Sequence, residues 1–288
     1  MVRGMEATGT IVCGVDHSPG GRAAAKIAVQ LSERLRFKTV FVHAVQPPIP
    51  AYEMGTPAAP TNFVAVDQMR EAGTALLEEL AGELGSGSEI AREVRIGSAA
   101  DAIAAAAEKD DAEFVVVGSR GLGSVGALFL GSVSLRLAGH GPCPTLIVPP
   151  SAETFGDGPI LCAVDDSDHS RAALATAAAL AERLDARLVV AHADDDDAAS
   201  SRGLELLTRL VVESDLGAKV ETILVRGEPA DAIVEAAGAH DAALIAIGSR
   251  GRGALASSVL GSVSSAVANQ STSPVLVVRA DAKPAGSV

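Results

Sequence analysis

Short runs of apolar residues, each dense enough for a strand buried on both faces, alternate with longer stretches that keep apolar positions three and four residues apart. "TIVCGV", residues 10–15, is the first run. Behind it, Ile27, Leu31 and Leu35 fall on one stripe of a period-3.6 segment, which predicts a helix over about Gly21–Arg36. The alternation continues with a strand at Thr39–Val45, a helix at Val66–Leu84 and a short strand at Glu89–Arg95. An Ala-rich helix in "GSAADAIAAAAEKD" leads to the continuous apolar strand "AEFVVVGS". A glycine-rich stretch, a helix at about Ser132–Ala138 and the strand "CPTLIVPP" complete the set. Strands alternating with helices imply crossover connections and a mainly parallel sheet, an α/β fold.

The pattern then runs a second time. Asp16 corresponds to Asp165 and His43 to His192, both 149 positions apart, whereas Gly97 and Gly118 correspond to Gly227 and Gly248, 130 apart. The difference is an insertion in the first copy between His43 and Gly97, best placed in the Pro-rich "QPPIPAYEMGTPAAPTN", which reads as an irregular loop. The expectation is two tandem doubly wound, mainly parallel five-stranded sheets, in domains at 1–150 and 157–288 of the 288-residue chain.

In parallel sheets of this kind ligands sit beyond the carboxyl ends of the strands, where strand order reverses. Asp16, His43 and Gly118 each lie at or just past a predicted strand end, as do their second-copy equivalents. After Val117 the chain reads Gly118-Ser119-Arg120-Gly121, nine residues, then Gly131-Ser132-Val133-Ser134. The second copy reads Gly248-Ser249-Arg250-Gly251, nine residues, then Gly261-Ser262-Val263-Ser264. Glycines let backbone approach a ligand, and a helix start offers N–H groups and a positive dipole end to phosphate. Ser132 stands where an N-cap is expected, so the picture is a cradle with a glycine turn on one side and a helix start with two hydroxyls on the other. Duplication copies structural glycines too, so packing alone is the competing reading. No Gly-Lys-Ser/Thr follows, which excludes a Walker A loop, and the glycines follow the fourth strand, unlike a dinucleotide fingerprint.

These motifs resemble the ATP-binding signature of the universal stress protein family. The likeness includes "GVDHS" and "AVDDS" at the first strand ends, "VHA" and "AHA" in the second strands, and "GEPADAI" after the third. It covers nearly the whole chain, twice, as in the tandem form of the family. The resemblance implies ATP, with Mg²⁺, bound in signalling and stress survival, generally without efficient catalysis. It assigns Val15, Asp16 and Ala44 to adenine and ribose, and Gly118, Gly121, Gly131, Ser132, Val133 and Ser134 to ribose and phosphates. Ser119 and Arg120, inside the motif, join the candidate set. In the second copy the set is Val164, Asp165, Ala193, Gly248, Ser249, Arg250, Gly251, Gly261, Ser262, Val263 and Ser264. The resemblance also implies pairing of the two domains through their fifth strands, Thr145–Val148 and Pro274–Val278.

The bland readings stay beside these. Asp16 and Asp165 suit a turn that caps the next helix. His43 and His192 sit inside apolar strands with no metal-ligand spacing around them, and read as satisfied core histidines. Arg120 and Arg250 reach either a phosphate or solvent. The acidic run Asp194–Asp197 reads as hydrated, and repulsion from it predicts weaker ATP binding in the second copy.

Net charge is −13, with 12 basic and 16 acidic residues before position 151 and 11 against 20 after it. Neither half offers the basic face that nucleic acid or an anionic membrane requires. Three cysteines give no disulfide framework, and the N-terminal "MVRGMEATGT" has no apolar h-region, so a cytoplasmic protein is expected. No nucleophile–base set stands in register, and no catalytic residue or metal site is assigned. ATP, protein partners or a second copy of the chain are the expected binding partners. Two rival functions remain: an enzyme that cleaves ATP between its α and β phosphates, for which "DHSPGGR" has the wrong glycine order, and an interaction module independent of nucleotide.

Overall fold

The computed structural model describes residues 8–46, 63–85, 90–121, 130–194, 200–214, 216, 219–251 and 260–282. The first half runs β1 (Thr10–Gly14), α1 (Pro19–Leu35), β2 (Lys38–Val45), α2 (Phe63–Leu84), β3 (Ile90–Ile96), α3 (Ala99–Lys109), β4 (Phe114–Gly118), α4 (Ser132–His140) and β5 (Thr145–Val148). The second runs β6 (Ile160–Ala163), α5 (Asp168–Leu184), β7 (Leu188–Asp194), α6 (Ser200–Glu213), β8 (Val220–Arg226), α7 (Pro229–Ala239), β9 (Leu244–Gly248), α8 (Ser262–Gln270) and β10 (Val275–Val278). The repeat read from the sequence is therefore repeated element by element. Helix α1 begins two residues before the expected Gly21. Ser18 caps it by accepting the Gly21 N–H at 3.0 Å, and Pro19 occupies the first turn, where its missing N–H costs nothing.

The two five-stranded units form one sheet, in the order β3-β2-β1-β4-β5-β10-β9-β6-β7-β8. Strands pair in parallel within each half, and β5 pairs antiparallel with β10, setting Leu146 opposite Leu276. Both fifth strands, TLIV and VLVV, are buried throughout. Their backbone groups need partners that water does not supply, and each strand supplies the other's.

Strand side chains alternate between faces. Ile11, Cys13 and Phe41 join Ile160, Cys162 and Val190 in one core under α1, α2, α5 and α6, continuous across both halves. The opposite face splits in two. Val12, Val42 and Val117 pack on α3 and α4, while Leu161, Val189 and Ile247 pack on α7 and α8. A connector ties the halves together: Phe155 lies under the Arg34 guanidinium, which donates to the carbonyls of Phe155 and Gly156 at 2.9 and 3.0 Å.

The free edges of the sheet differ. On β3, Glu93 lies between Arg95 and Lys109. Burial pushes the Glu93 carboxyl up, but hydrogen bonds from Lys109 and Arg95 outweigh it and hold the group below the usual glutamate range. The equivalent positions at the β8 edge are Ile223, Val225 and Ala239, which line a shallow hollow of about 330 Å³.

Candidate functional site

Strand order reverses between β1 and β4, and again between β6 and β9. Gly14 lies beside Val117 and Ala163 beside Ile247, so the residues that follow, Val15-Asp16 and Val164-Asp165, face the glycine turns. Asp16 Oδ1 accepts the Ser18 backbone N–H at 3.0 Å and the Ser18 hydroxyl, which also lies 3.4 Å from the Arg120 carbonyl. Asp165 repeats this: its Oδ1 accepts from Ser167 N and Oγ at 3.1 and 2.6 Å, and Ser167 Oγ lies 3.2 Å from the Arg250 carbonyl. Each aspartate thus closes its own turn through Oδ1 and links that turn to the glycine stretch. The capping reading and the position at the switch point hold together.

The glycines have separable reasons. A Cβ on Gly118 would lie 2.5 Å from the Gly20 carbonyl carbon, and one on Gly248 2.7 Å from the His169 carbonyl carbon. These two are demanded by helix starts packed onto strand ends. Gly121 and Gly251 instead leave room for a carboxylate: a Cβ there would stand 2.9 Å from Asp16 Oδ2 and 2.5 Å from Asp165 Oδ2. Gly131 N donates to the Ser119 carbonyl at 2.7 Å and Gly261 N to the Ser249 carbonyl at 2.8 Å, closing each nine-residue loop at its base. Residues 122–129 and 252–259 of those loops lie outside the described residues.

Two expectations are corrected. The N-cap of α4 is Gly131, and Ser132 is its first helical residue; Gly261 and Ser262 stand likewise on α8. A glycine cap puts no side-chain oxygen over the helix start, so the terminal N–H groups are not covered from that position. Nor are both hydroxyls at the helix start free to donate: Ser134 Oγ donates to the Gly118 carbonyl at 2.7 Å and Ser264 Oγ to the Gly248 carbonyl at 2.6 Å. Those hydroxyls lock the helix to the strand end.

In the second half these groups surround a cavity of about 400 Å³, within the range of small-molecule sites. Val164, Asp165, Ala193, Gly248, Arg250, Gly251, Gly261, Ser262, Val263 and Ser264 line it, all within the candidate set drawn from the motifs and the family resemblance. Ser249 does not; it is fully buried with its Oγ 3.2 Å from His169 Nδ1. Its counterpart Ser119 is also buried. The sequence reading missed Pro229 and Ile233 of α7 and Leu260, which add an apolar wall. The signal was present in "GEPADAI", whose helix returns over the strand ends. The first half brings Val15, Asp16, Ala44, Gly118, Arg120, Gly121 and Gly131–Ser134 to the same strand ends and helix start. One wall is apolar, while the rim carries a carboxylate, hydroxyls, a helix start and an arginine. That combination accepts a flat ring at one end and an anion at the other.

Arg120 Nε and Arg250 Nε are both buried with no hydrogen-bond partner among the described residues. An orphaned buried donor costs about 1–3 kcal/mol, and the same orphan occurs in both halves. The histidines read as core residues are satisfied: His43 Nδ1 lies 2.9 Å from the Val15 carbonyl and His192 Nδ1 2.7 Å from that of Val164. Beyond His192 opens a wider hollow of about 760 Å³, where Asp166, Asp194 and Glu205 face Arg202 and Arg209. Its carboxylates make it a poor seat for phosphate. Of the acidic run only Asp194 is described; 195–197 lie outside the described residues. No cluster of three or more metal-ligating side chains occurs among the described residues. Burial pushes both the Cys13 and Cys162 thiols up, Cys162 to about 12, so neither is a nucleophile at neutral pH. No described helix is long and apolar enough to cross a membrane.

A comparison with known families agrees with this geometry. The pattern of the universal stress protein family matches residues 8–149 and again 158–279. The chain belongs to the universal stress protein family, in its tandem form. It is similar to a universal stress protein of Mycolicibacterium smegmatis, 30% identical, with 93% of this chain and 96% of that protein covered. A universal stress protein of Mycobacterium tuberculosis is 29% identical over the same shares. Among solved structures, a universal stress protein from Archaeoglobus fulgidus has the same fold, with a TM-score of 0.72, 22% identity, and 94% of this chain and 98% of that one covered.

Proposed function

We propose that the protein is a stress-response regulator that binds ATP, with Mg²⁺, at two sites per chain, one in residues 1–150 and one in residues 157–288. The observation that carries this reading is the second-half cavity, in which an apolar wall meets a glycine turn, a glycine-capped helix start and the orphaned Arg250 Nε. Adenine fits the wall of Ala193, Ile233 and Ile247, ribose the Asp165 carboxylate, and phosphates the N–H groups at Gly261–Ser264 and the Gly248–Gly251 turn. The first half holds the second nucleotide through Val15, Asp16, Ala44, Gly118, Arg120, Gly121 and Gly131–Ser134. Ser119 and Ser249 act from behind the turn. Asp16 and Asp165 already engage serine donors through Oδ1, and among the described residues neither has a nucleophile–base pair beside it. Occupancy, with slow or no hydrolysis, is therefore the signal. A cytoplasmic location and recognition by a protein partner or a second chain complete the proposal.

Native mass spectrometry of the purified protein tests it. Two adenine nucleotides per chain are expected, with mass shifts that disappear from a Gly118→Ala, Gly248→Ala double variant. A chain that takes up no nucleotide at millimolar ATP–Mg²⁺ overturns it. Release of pyrophosphate on turnover would point to the α–β cleaving alternative.

A further inference from the structure

His169 has no counterpart in the first half. The register that pairs Asp16 with Asp165 places Gly20 there. Both residues lie in the first turn of their helix, and both press backbone against the glycine that ends the neighbouring strand. Only His169 has a side chain that continues past that contact. Its Nδ1 accepts the Ala280 backbone N–H at 3.0 Å and lies 3.2 Å from Ser249 Oγ. Ser249 is fully buried between two cavity-lining residues, Gly248 and Arg250. Its N–H donates to the Val278 carbonyl at 2.7 Å and its carbonyl accepts from Gly261 at 2.8 Å. The imidazole is therefore wedged between the back of the glycine turn and the chain leaving β10. That chain is itself tied down, with Arg279 bonded to Asp281 and, at 2.9 Å, to the Gly141 carbonyl of the first half.

We propose that His169 is a positioning residue for the second nucleotide site: by bracing Ser249 against Ala280 it fixes the Gly248–Arg250 turn, and with it Arg250, in the geometry that receives phosphate. The proposal rests on the nucleotide reading above. A ligand that finds its donors already fixed spends less of its binding energy on ordering them. Among the described residues the first site has no such brace, because Gly20 stands where His169 does, so the effect belongs to the second site alone.

The brace needs a lone pair on Nδ1, hence a neutral ring. Partial burial and the Arg250 charge hold His169 below its ordinary value, and Arg279 acts in the same direction. Asp281 and Asp168, the carboxylates facing it, oppose them without prevailing. The unfolded chain takes up a proton near pH 6.5 and the folded chain only at lower pH. Stability from this residue is thus complete above that value and declines as pH falls through the window beneath it.

The experiment titrates ATP–Mg²⁺ into full-length chains by calorimetry. In a Gly118→Ala background, which leaves the second site, adding His169→Ala is expected to raise Kd about five- to tenfold, the equivalent of losing one hydrogen bond. His169→Asn, whose amide oxygen restores an acceptor, is expected to return Kd to within about twofold of the parent. In a Gly248→Ala background, which leaves the first site, His169→Ala is expected to change nothing. An unchanged Kd at the second site, a loss that Asn does not repair, or an equal loss at the first site overturns the proposal. Amide NMR of His169→Ala without nucleotide provides a reading independent of ATP: the Ser249, Arg250 and Ala280 signals should move while those of Ser119 and Arg120 stay. If no chain binds ATP, the nucleotide reading fails. If those amides do not move, the brace fails, whatever the ligand.

Discussion

The two halves set the same aspartate, glycines and serines on the same strand ends, yet support them with different neighbours. Behind Asp16 stands His17, its ring centroid 6.3 Å from that of His43. Behind Asp165 stands Asp166, held in left-handed backbone geometry at φ 67° with its carboxylate bonded to Arg171 and Arg209. Under the glycine turn the contrast is Gly20 against His169. The groups that face the hollow kept their identity, and the layer behind them diverged. Such divergence leaves two copies of one site free to differ in affinity without differing in what they hold.

The strongest way to break this comparison is to silence one half at a time. A methyl at Gly118 or Gly248 meets backbone that cannot swing away, so each alanine variant should lose its own site by about tenfold or more in Kd, roughly 1.4 kcal/mol, while sparing the other. Calorimetry on the two variants then ranks the survivors. The first site should be the tighter, because Asp194 follows the cavity-lining Ala193 and adds negative charge beside the second, and equal affinities would refute that ranking. Next in size is Arg209→Ala. It removes one of the two guanidinium groups bonded to Asp166, and the carboxylate released should weaken ATP at the second site roughly threefold. Asp166→His, which copies the first half, should reverse the loss when added to that variant.

Ser134→Ala and Ser264→Ala should each cost about 1 kcal/mol of stability, because each leaves a strand-end carbonyl without its hydroxyl donor. Thermal melts that differ between the two would show that the helix lock is not shared. The smallest effect belongs to the edges. Glu93 is held below its usual range by Lys109 and Arg95, so its contribution is present at neutral pH and lost as pH falls through the folded value. At under about 1 kcal/mol, hydrogen exchange should show β3 loosening in acid in the wild type but not in Glu93→Gln.

Much of this was readable in advance. Strand runs, helix stripes and the offsets 149 and 130 located every element, because each is a local pattern. Most of the lining residues followed from the resemblance to the universal stress protein family, whose motifs fall at strand ends. What sequence could not supply was the direction in which each side chain turns. Ser132 looked like a cap until Gly131 took that place, and the Ser134 hydroxyl gives its proton to the Gly118 carbonyl. Ser249 stands inside the motif yet points to a histidine 80 positions away. Pro229 and Ile233 reach the cavity only because α7 folds back over the sheet. For Ser134, Ser249 and the α7 residues the decisive neighbour is distant along the chain, and no spacing rule encodes it.

The antiparallel junction of β5 with β10 has a last consequence, for behaviour on dilution. Two separate five-stranded units would have to find each other, and their pairing would fade as the protein became scarce. Linked by the connector at 149–159, the partners meet at an effective local concentration on the order of millimolar, whatever the number of copies in the solution. Both sites therefore stay mounted on one frame at the lowest abundance.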